Sequence, residues 1–251
     1  MTEQSEQTKE WFGEWFDSPY YHILYHDRDY QEAQKFIDKV VDYFLLSPDH
    51  KVLDLACGKG RHSIYLNKKG CDVIGVDLYE QNIAYANQYA NERLAFYRHD
   101  MREVFREGAF DFVLNLFTSF GYFDAHEENQ AAISAIEKGL KPGGYLLLDF
   151  LNPYKVVNDL VPTATKTVDG IDFQISKHLS TDNYIVKDIA FTDEGTSYHF
   201  QERVKAIRRL EFLDFFKQAG LHLMDVFGDY QLNPYDCDVS DRMIFIVKKQ
   251  K

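Results

Sequence analysis

The stretch Lys51-Val-Leu-Asp-Leu-Ala-Cys-Gly-Lys-Gly60 constrains the fold of this chain more than any other. Val52 to Ala56 reads as a short buried strand, Gly58 and Gly60 as a sharp turn, and Arg61 to Leu66 as the start of a helix. A strand that turns through glycines into a helix brings backbone N–H groups and a helix N-terminus up to a ligand. A Cβ at those positions would block either the turn or the ligand. Seventeen residues after Gly60 a second apolar strand, Val73-Ile-Gly-Val-Asp77, ends in an acid. An acid there can accept hydrogen bonds from both hydroxyls of a ribose. The first expectation is therefore a nucleoside-containing ligand.

The rest of the chain alternates strand and helix. Apolar residues at Ala33, Phe36, Ile37, Val40, Val41 and Phe44 predict an amphipathic helix within 29–46. Strands are expected at 51–56, 72–77, 94–99, 110–116 and 145–150, with helices at 60–69, 80–92 and 127–139. Lys141-Pro-Gly-Gly144 reads as a turn feeding the fifth strand, and Asn152-Pro-Tyr154 as the turn that leaves it. Such alternation demands a mostly parallel sheet with helices on both faces, whose ligands bind beyond the C-terminal strand ends. After Pro153 the pattern changes to period-two stretches such as Ile171-Asp-Phe-Gln-Ile175, which predict an antiparallel meander inserted at about 160–205. A helix at 208–219 and strands at 221–227 and 242–247 close the fold. No linker separates independent domains; residues 1–28 form an N-terminal segment and 29–251 the main domain. Residues 1–10 are expected to fray.

Composition narrows the function. The net charge is -12, whereas a protein that grips nucleic-acid phosphates needs a basic face. No stretch approaches a membrane span, and the polar N-terminus lacks the apolar core of a signal peptide. Three cysteines without CxxC spacing suggest a reducing compartment and no metal site. The chain is thus expected in the cytoplasm, away from nucleic acid and membrane, as a monomer or homodimer.

A dinucleotide fingerprint would place a third glycine where Ser63 stands, and Asp54 lies inside the first strand. The pattern Asp54-Leu-Ala-Cys-Gly-Lys-Gly60 followed by Val76-Asp77 instead resembles the first two motifs of class I S-adenosylmethionine-dependent methyltransferases. Ala56 stands where many members carry the first glycine. Asp100-Met101, after the third strand, matches the acid that bonds the adenine amino group and the residue that offers its N–H to the ring. Asn115-Leu-Phe-Thr-Ser-Phe-Gly-Tyr122 falls at the loop bordering cofactor and acceptor. It lacks the Asn/Asp-Pro-Pro-Tyr/Phe form of many enzymes that methylate amino groups of nucleic acids and proteins. It is similar to the loop of small-molecule N-methyltransferases acting on glycine and amino sugars.

The resemblance implies a Rossmann-like seven-stranded sheet with the inserted meander and an aromatic and helical N-terminal lid. It also implies S-adenosylmethionine as cofactor, with S-adenosylhomocysteine as product. The cofactor surface would comprise Tyr21, Asp54, Ala56, Gly58, Gly60, Arg61, Asp77, Leu78, Asp100, Met101, Asn115 and Phe117. Tyr25, Ser119, Phe120 and Tyr122 would line the acceptor pocket. Tyr20-Tyr21-His22 and Tyr25 crowd aromatic rings and hydroxyls into six positions, which suits a pocket wall near a cationic sulfonium. The acceptor would be a small molecule. None of His22, His26, His62 and His126 stands out as a general base, which favours an amine, or an acceptor that is already anionic, over a hydroxyl. Two other readings stay open: a non-catalytic cofactor-binding protein and a nicotinamide-dependent oxidoreductase. Ser63, Asp54 and the Asp100 motif disfavour the latter.

Overall fold

The computed structural model describes residues 15–16, 18–25 and 30–250. In chain order these form α1 (Pro19–Leu24), α2 (Tyr30–Phe44), β1 (Lys51–Leu55), α3 (Arg61–Lys68), β2 (Asp72–Asp77), α4 (Glu80–Ala86) and β3 (Leu94–Arg98). There follow β4 (Phe110–Asn115), α5 (His126–Gly139), β5 (Leu140–Leu151) and α6 (Pro153–Asn158). Strands β6 (Thr163–Val168), β7 (Ile171–Leu179), β8 (Tyr184–Asp193) and β9 (Thr196–Lys205) come next, then α7 (Arg209–Gln218), β10 (Leu221–Phe227) and β11 (Arg242–Lys249). Two compact units result: residues 28–159 with 205–251, and residues 1–27 with 160–204.

The larger unit is a seven-stranded sheet of order β10-β11-β5-β4-β1-β2-β3. β1, β2, β3, β4 and β5 run parallel, and β11 is antiparallel to both of its neighbours. Period-two alternation sends side chains to two cores. Ile244 and Ile246 of β11 join Val52, Val73, Leu114 and Leu147 beneath α2, α3 and α4, through Phe36, Leu66 and Ile83. Phe245, between them, meets Phe212 and Phe216 of α7 on the other face, at centroid distances of 4.9 and 5.4 Å. Helices thus cover both faces, as the strand–helix alternation predicts. No described helix is long and apolar enough to cross a membrane.

Three local expectations are corrected. The helix expected at 80–92 stops at Ala86, becomes a 3-10 turn at Asn87–Tyr89, and gives way to a side-chain turn in which Asn91 accepts from the Arg93 N–H at 2.9 Å. Asparagine competes with helix through such bonds. The turn expected at 141–144 is absorbed into a twelve-residue β5, with Gly143 taking φ +82° inside it. Asn152-Pro-Tyr154 is a helix start rather than a plain exit turn: Asn152 accepts from the Tyr154 N–H at 3.3 Å, and Pro153 opens α6.

The smaller unit is a four-stranded antiparallel sheet, order β6-β7-β8-β9, with residues of the N-terminal segment packed on its apolar face. Ile171, Phe173 and Ile175 point to that face, while Asp172 and Gln174 point away. Trp15 is fully buried among Phe173, Ile189 and Phe191, and its indole N–H donates to Glu202 at 2.6 Å. Glu202 also accepts from the Tyr25 hydroxyl at 2.5 Å. Tyr20 packs on Phe191 and Tyr198 and donates to Asp193 at 2.9 Å. The aromatic crowding therefore builds a core for this unit. His26, the residues of 1–10 and the side chain of His22 lie outside the described residues. Replacing Trp15 by alanine should cost roughly 3–5 kcal/mol in this unit. Amide exchange would report it as lost protection in β7 and β8, with β1 and β4 unchanged; equal loss in all four strands would assign Trp15 to the whole fold instead.

Candidate active site

The glycine turn sits at the C-terminal end of β1. Ala56 takes φ +61°, Gly58 +56° and Gly60 +80°, so three residues within five are left-handed. Only the glycines do so without steric cost; for Ala56 it is roughly 1–2 kcal/mol. Gly60 is also pressed onto the sheet, since a Cβ there would lie 2.7 Å from the Phe96 ring. At Gly58 a Cβ would meet nothing within 4 Å, so the turn presents bare backbone to open space on its outer side. Cys57 is buried, and burial pushes its thiol well above the ordinary range, so it is an inert small residue rather than a nucleophile.

Two buried carboxylates fix this turn. Asp77, at the end of β2, accepts from the Gly58 N–H at 2.8 Å, the Tyr79 N–H at 3.0 Å and the Asn82 amide at 3.2 Å. Asp54 shares the face of Val52 and accepts from the Ser63 hydroxyl of α3 at 2.5 Å. Serine at the place of the third dinucleotide glycine is thereby explained: its hydroxyl holds the helix start to β1. Burial raises the Asp54 carboxyl to about 6, partly offset by the Ser63 hydroxyl and N–H.

Asp100 lies beyond β3. Burial pushes its carboxyl up, but the side chain and N–H of Arg102 outweigh this and hold it below the usual range. The guanidinium also pairs with Glu128 at 2.6 Å and lies 4.8 Å from the Phe123 ring. Leu78 and Met101 flank the two acids, half-buried.

On the other side of β1, β4 runs into the loop that begins at Asn115. Asn115 is fully buried; its amide donates to the Leu55 carbonyl at 3.0 Å, while its own carbonyl oxygen has no partner. Phe117 and Thr118 both take left-handed φ, +57° and +59°. Phe117 touches the residues that follow the glycine turn: the Arg61 guanidinium lies 4.3 Å from its ring, and the His62 ring stacks on it at 4.9 Å. Ser119 donates to the Leu116 carbonyl and Tyr122 to the Thr118 carbonyl, each at 2.8 Å. Phe120 is fully buried against Phe212.

Sequence reasoning missed several participants. Asp149 of β5 is fully buried, accepts from the Phe117 N–H at 2.7 Å, and pairs with Arg242 of β11 at 2.7 Å. Tyr230 donates to the same carboxylate at 3.2 Å and stacks on Phe117 at 4.9 Å. Burial and the Asp149 charge raise its hydroxyl, keeping it a donor. An acid inside the apolar run Leu146-Leu-Leu-Asp-Phe150 was the available signal. His62 is buried with Nε2 unpartnered, and burial, then Arg61, drives its imidazole well below the ordinary value, so it is neutral near pH 7. Tyr21 and Tyr25 lie in the smaller unit, where Tyr21 packs on Trp15, Phe16 and Tyr25.

Bare backbone at Gly58, a carboxylate at the end of β2 and an acid after β3 fit a nucleoside-bearing ligand laid along the strand ends. The unpartnered Asn115 oxygen, fully buried at the end of β4, adds an acceptor suited to an ammonium group. These features define an α/β enzyme class that works on a nucleoside-containing cofactor.

Comparison with known proteins specifies the class further. Residues 52–144 match a family model described as a methyltransferase domain. The carboxy-S-adenosyl-L-methionine synthase of Shewanella loihica is 34% identical over 186 residues, covering 68% of this chain and 71% of that protein. The glycine/sarcosine N-methyltransferase of Aphanothece halophytica is 27% identical, covering 90% and 85% respectively. The dTDP-3-amino-3,4,6-trideoxy-alpha-D-glucopyranose N,N-dimethyltransferase of Streptomyces venezuelae is 27% identical, covering 68% and 75%. An S-adenosylmethionine-dependent methyltransferase structure from Clostridium acetobutylicum superimposes with a TM-score of 0.77 at 22% identity, over 92% of this chain and 96% of that one. The chain belongs to the S-adenosylmethionine-dependent methyltransferases, and S-adenosylmethionine is its cofactor.

Two outcomes follow. Asp77→Ala removes the acceptor for the Gly58 N–H and, if Asp77 takes the ribose as the sequence motif implies, should weaken S-adenosylhomocysteine binding by roughly 1.5–3 kcal/mol in calorimetry. Unchanged affinity would remove Asp77 from the site. For Asp54 the folded carboxyl is raised above its unfolded value, so its contribution is favourable at low pH and is lost as pH rises from about 4 to about 6, by roughly 3 kcal/mol. Asp54→Asn should therefore gain on the wild type between about pH 3.5 and about pH 7.5 in urea unfolding, values that bracket that window. A constant difference at the two pH values would contradict the buried charge.

Proposed function

We propose that the protein transfers the methyl group of S-adenosylmethionine to the amine nitrogen of a small molecule, an amino acid or an amino sugar. The observation that carries this reading is the chemistry of the loop Asn115–Tyr122, which offers amide, hydroxyl and aromatic groups and no side chain that readily takes a proton at neutral pH. His62, which touches Phe117 of this loop, is held neutral with a depressed pKa and is a poor base. An amine that arrives unprotonated needs no base, whereas a hydroxyl does. Two relatives named for amine methylation support the same choice. The net charge of -12 supports a small acceptor over a polyanion.

When bound, the cofactor supplies an electrophilic methyl on a sulfonium. The chain's own contribution is orientation and exclusion of water. Asp77 and the Gly58 backbone would fix the nucleoside, and Asp100 and Met101 would border its base. Asn115 and Phe117 would border the amino-acid half, with Ser119 and Tyr122 beside the acceptor. An aromatic face near a sulfonium is favourable for the same reason as near an ammonium, since the ring quadrupole attracts cations.

The experiment is a turnover assay with methyl-labelled S-adenosylmethionine against glycine, sarcosine and nucleotide-linked amino sugars, each beside its hydroxy analogue. Product mass should rise by one methyl on an amine, with stoichiometric S-adenosylhomocysteine, and only as the amine loses its proton with rising pH. Methylation of the hydroxy analogues alone, or of RNA in a salt-sensitive manner, would overturn the proposal.

A further inference from the structure

We propose that Asp149, Arg242 and Tyr230 are positioning residues for the amino-acid half of S-adenosylmethionine, acting through Phe117 and Thr118. The inference rests on the reading that the cofactor lies across the ends of β1 to β4.

Phe117 and Thr118 are consecutive non-glycine residues in the left-handed region, and threonine is β-branched, for which this conformation is a true outlier. Such a turn persists only where its surroundings over-determine it. Here they do. The Phe117 N–H donates to the Asp149 carboxylate at 2.7 Å and the Thr118 N–H to the Asp149 carbonyl at 3.1 Å. The Thr118 hydroxyl oxygen accepts from the Leu151 N–H at 3.1 Å and from Arg242 Nη2 at 2.8 Å. Arg242 Nε donates to the other oxygen of Asp149 at 2.8 Å. Tyr230 completes the cage, with its hydroxyl on Asp149 and its ring on Phe117.

A buried ion pair is a poor way to gain stability, because desolvation of the two charges cancels most of their attraction. What this pair does well is supply acceptors and donors to a strained turn that has no regular partners. The turn stands where the rest of the ligand must go. With a ribose acceptor at the end of β2 and an acid after β3, and with the order β4-β1-β2-β3, the part of the cofactor beyond the ribose extends over β1 and β4. Phe117 meets Arg61 and His62 there, the first residues of the helix after the glycine turn. The cage thus sets one wall of the cofactor cleft relative to the other.

The test compares two probes by calorimetry on the full chain: S-adenosylhomocysteine, and 5′-methylthioadenosine, which keeps the nucleoside and sulfur but lacks the amino acid. Arg242→Lys should weaken S-adenosylhomocysteine by about tenfold and 5′-methylthioadenosine by less than about twofold. Tyr230→Phe, which keeps the ring stack, should weaken the former by about threefold, again sparing the latter. Should Arg242→Lys fail to fold, Tyr230→Phe carries the test. Equal losses for both probes, or lower thermal stability with both affinities intact, would make the cluster a structural prop and overturn the proposal alone. A wild-type protein that binds neither probe would overturn the reading of the site and the proposal with it.

Discussion

Two turns of this protein hold backbone that the chain does not adopt readily, and buried carboxylates anchor both, two at the glycine turn and one at Phe117. Asp77 takes the Gly58 N–H, Asp149 takes the Phe117 N–H, and Asp54 ties the Ser63 hydroxyl to β1. All three acids stand at or near the C-terminal ends of parallel strands, at 7%, 0% and 1% exposure. A carboxylate is the right group for the task, because it is acceptor-only and its two oxygens serve several donors at once. Remove it and the turn loses the bonds that offset its strain. The rest of the sheet, with its two apolar cores, holds these acids in place.

The arrangement has a thermodynamic consequence. Ionised side chains in an apolar sheet oppose folding, and burial accordingly raises the Asp54 carboxyl to about 6. Asp149 avoids isolation by pairing with Arg242, and Asp77 by gathering three N–H donors. The protein thus spends stability at the C-terminal strand ends and recovers it in the apolar clusters beneath α2 and α7.

Much of this was legible in the sequence, for identifiable reasons. Strand–helix alternation fixes a parallel sheet, and the glycines after the first strand mark the sharp turn into α3. Ser63 could be seen as a missing glycine but not as the partner of Asp54, since that contact crosses from helix to strand. Tyr230 and Arg242 carry no motif at all; Arg242 meets Asp149 because β11 pairs with β5, a long-range register no local pattern encodes, and Tyr230 reaches it from the segment between β10 and β11. Tyr20 and Tyr21 show the opposite difficulty. Their crowding reads equally as a pocket wall or as packing, and their described neighbours, Phe191 and Tyr198 for one and Trp15 and Phe16 for the other, are aromatic rings of their own unit. The short helix α6 escaped because Asn-Pro signals a turn and a helix N-cap alike.

Methyl transfer from a sulfonium needs little help from acids or bases, since the leaving group departs as a neutral thioether. What the reaction demands is a straight line from nucleophile through methyl to sulfur, held with little freedom. An enzyme of this kind should therefore invest in backbone and aromatic walls rather than in a titrating residue. The chain does so: burial shifts the Cys57 thiol and the His62 imidazole toward their neutral forms, the opposite of what a reactive thiolate or imidazolium would require, and the Asp54 carboxyl is engaged by Ser63. Perturbed ionisation often marks catalytic acids and bases. Here it marks the cost of holding turns rigid.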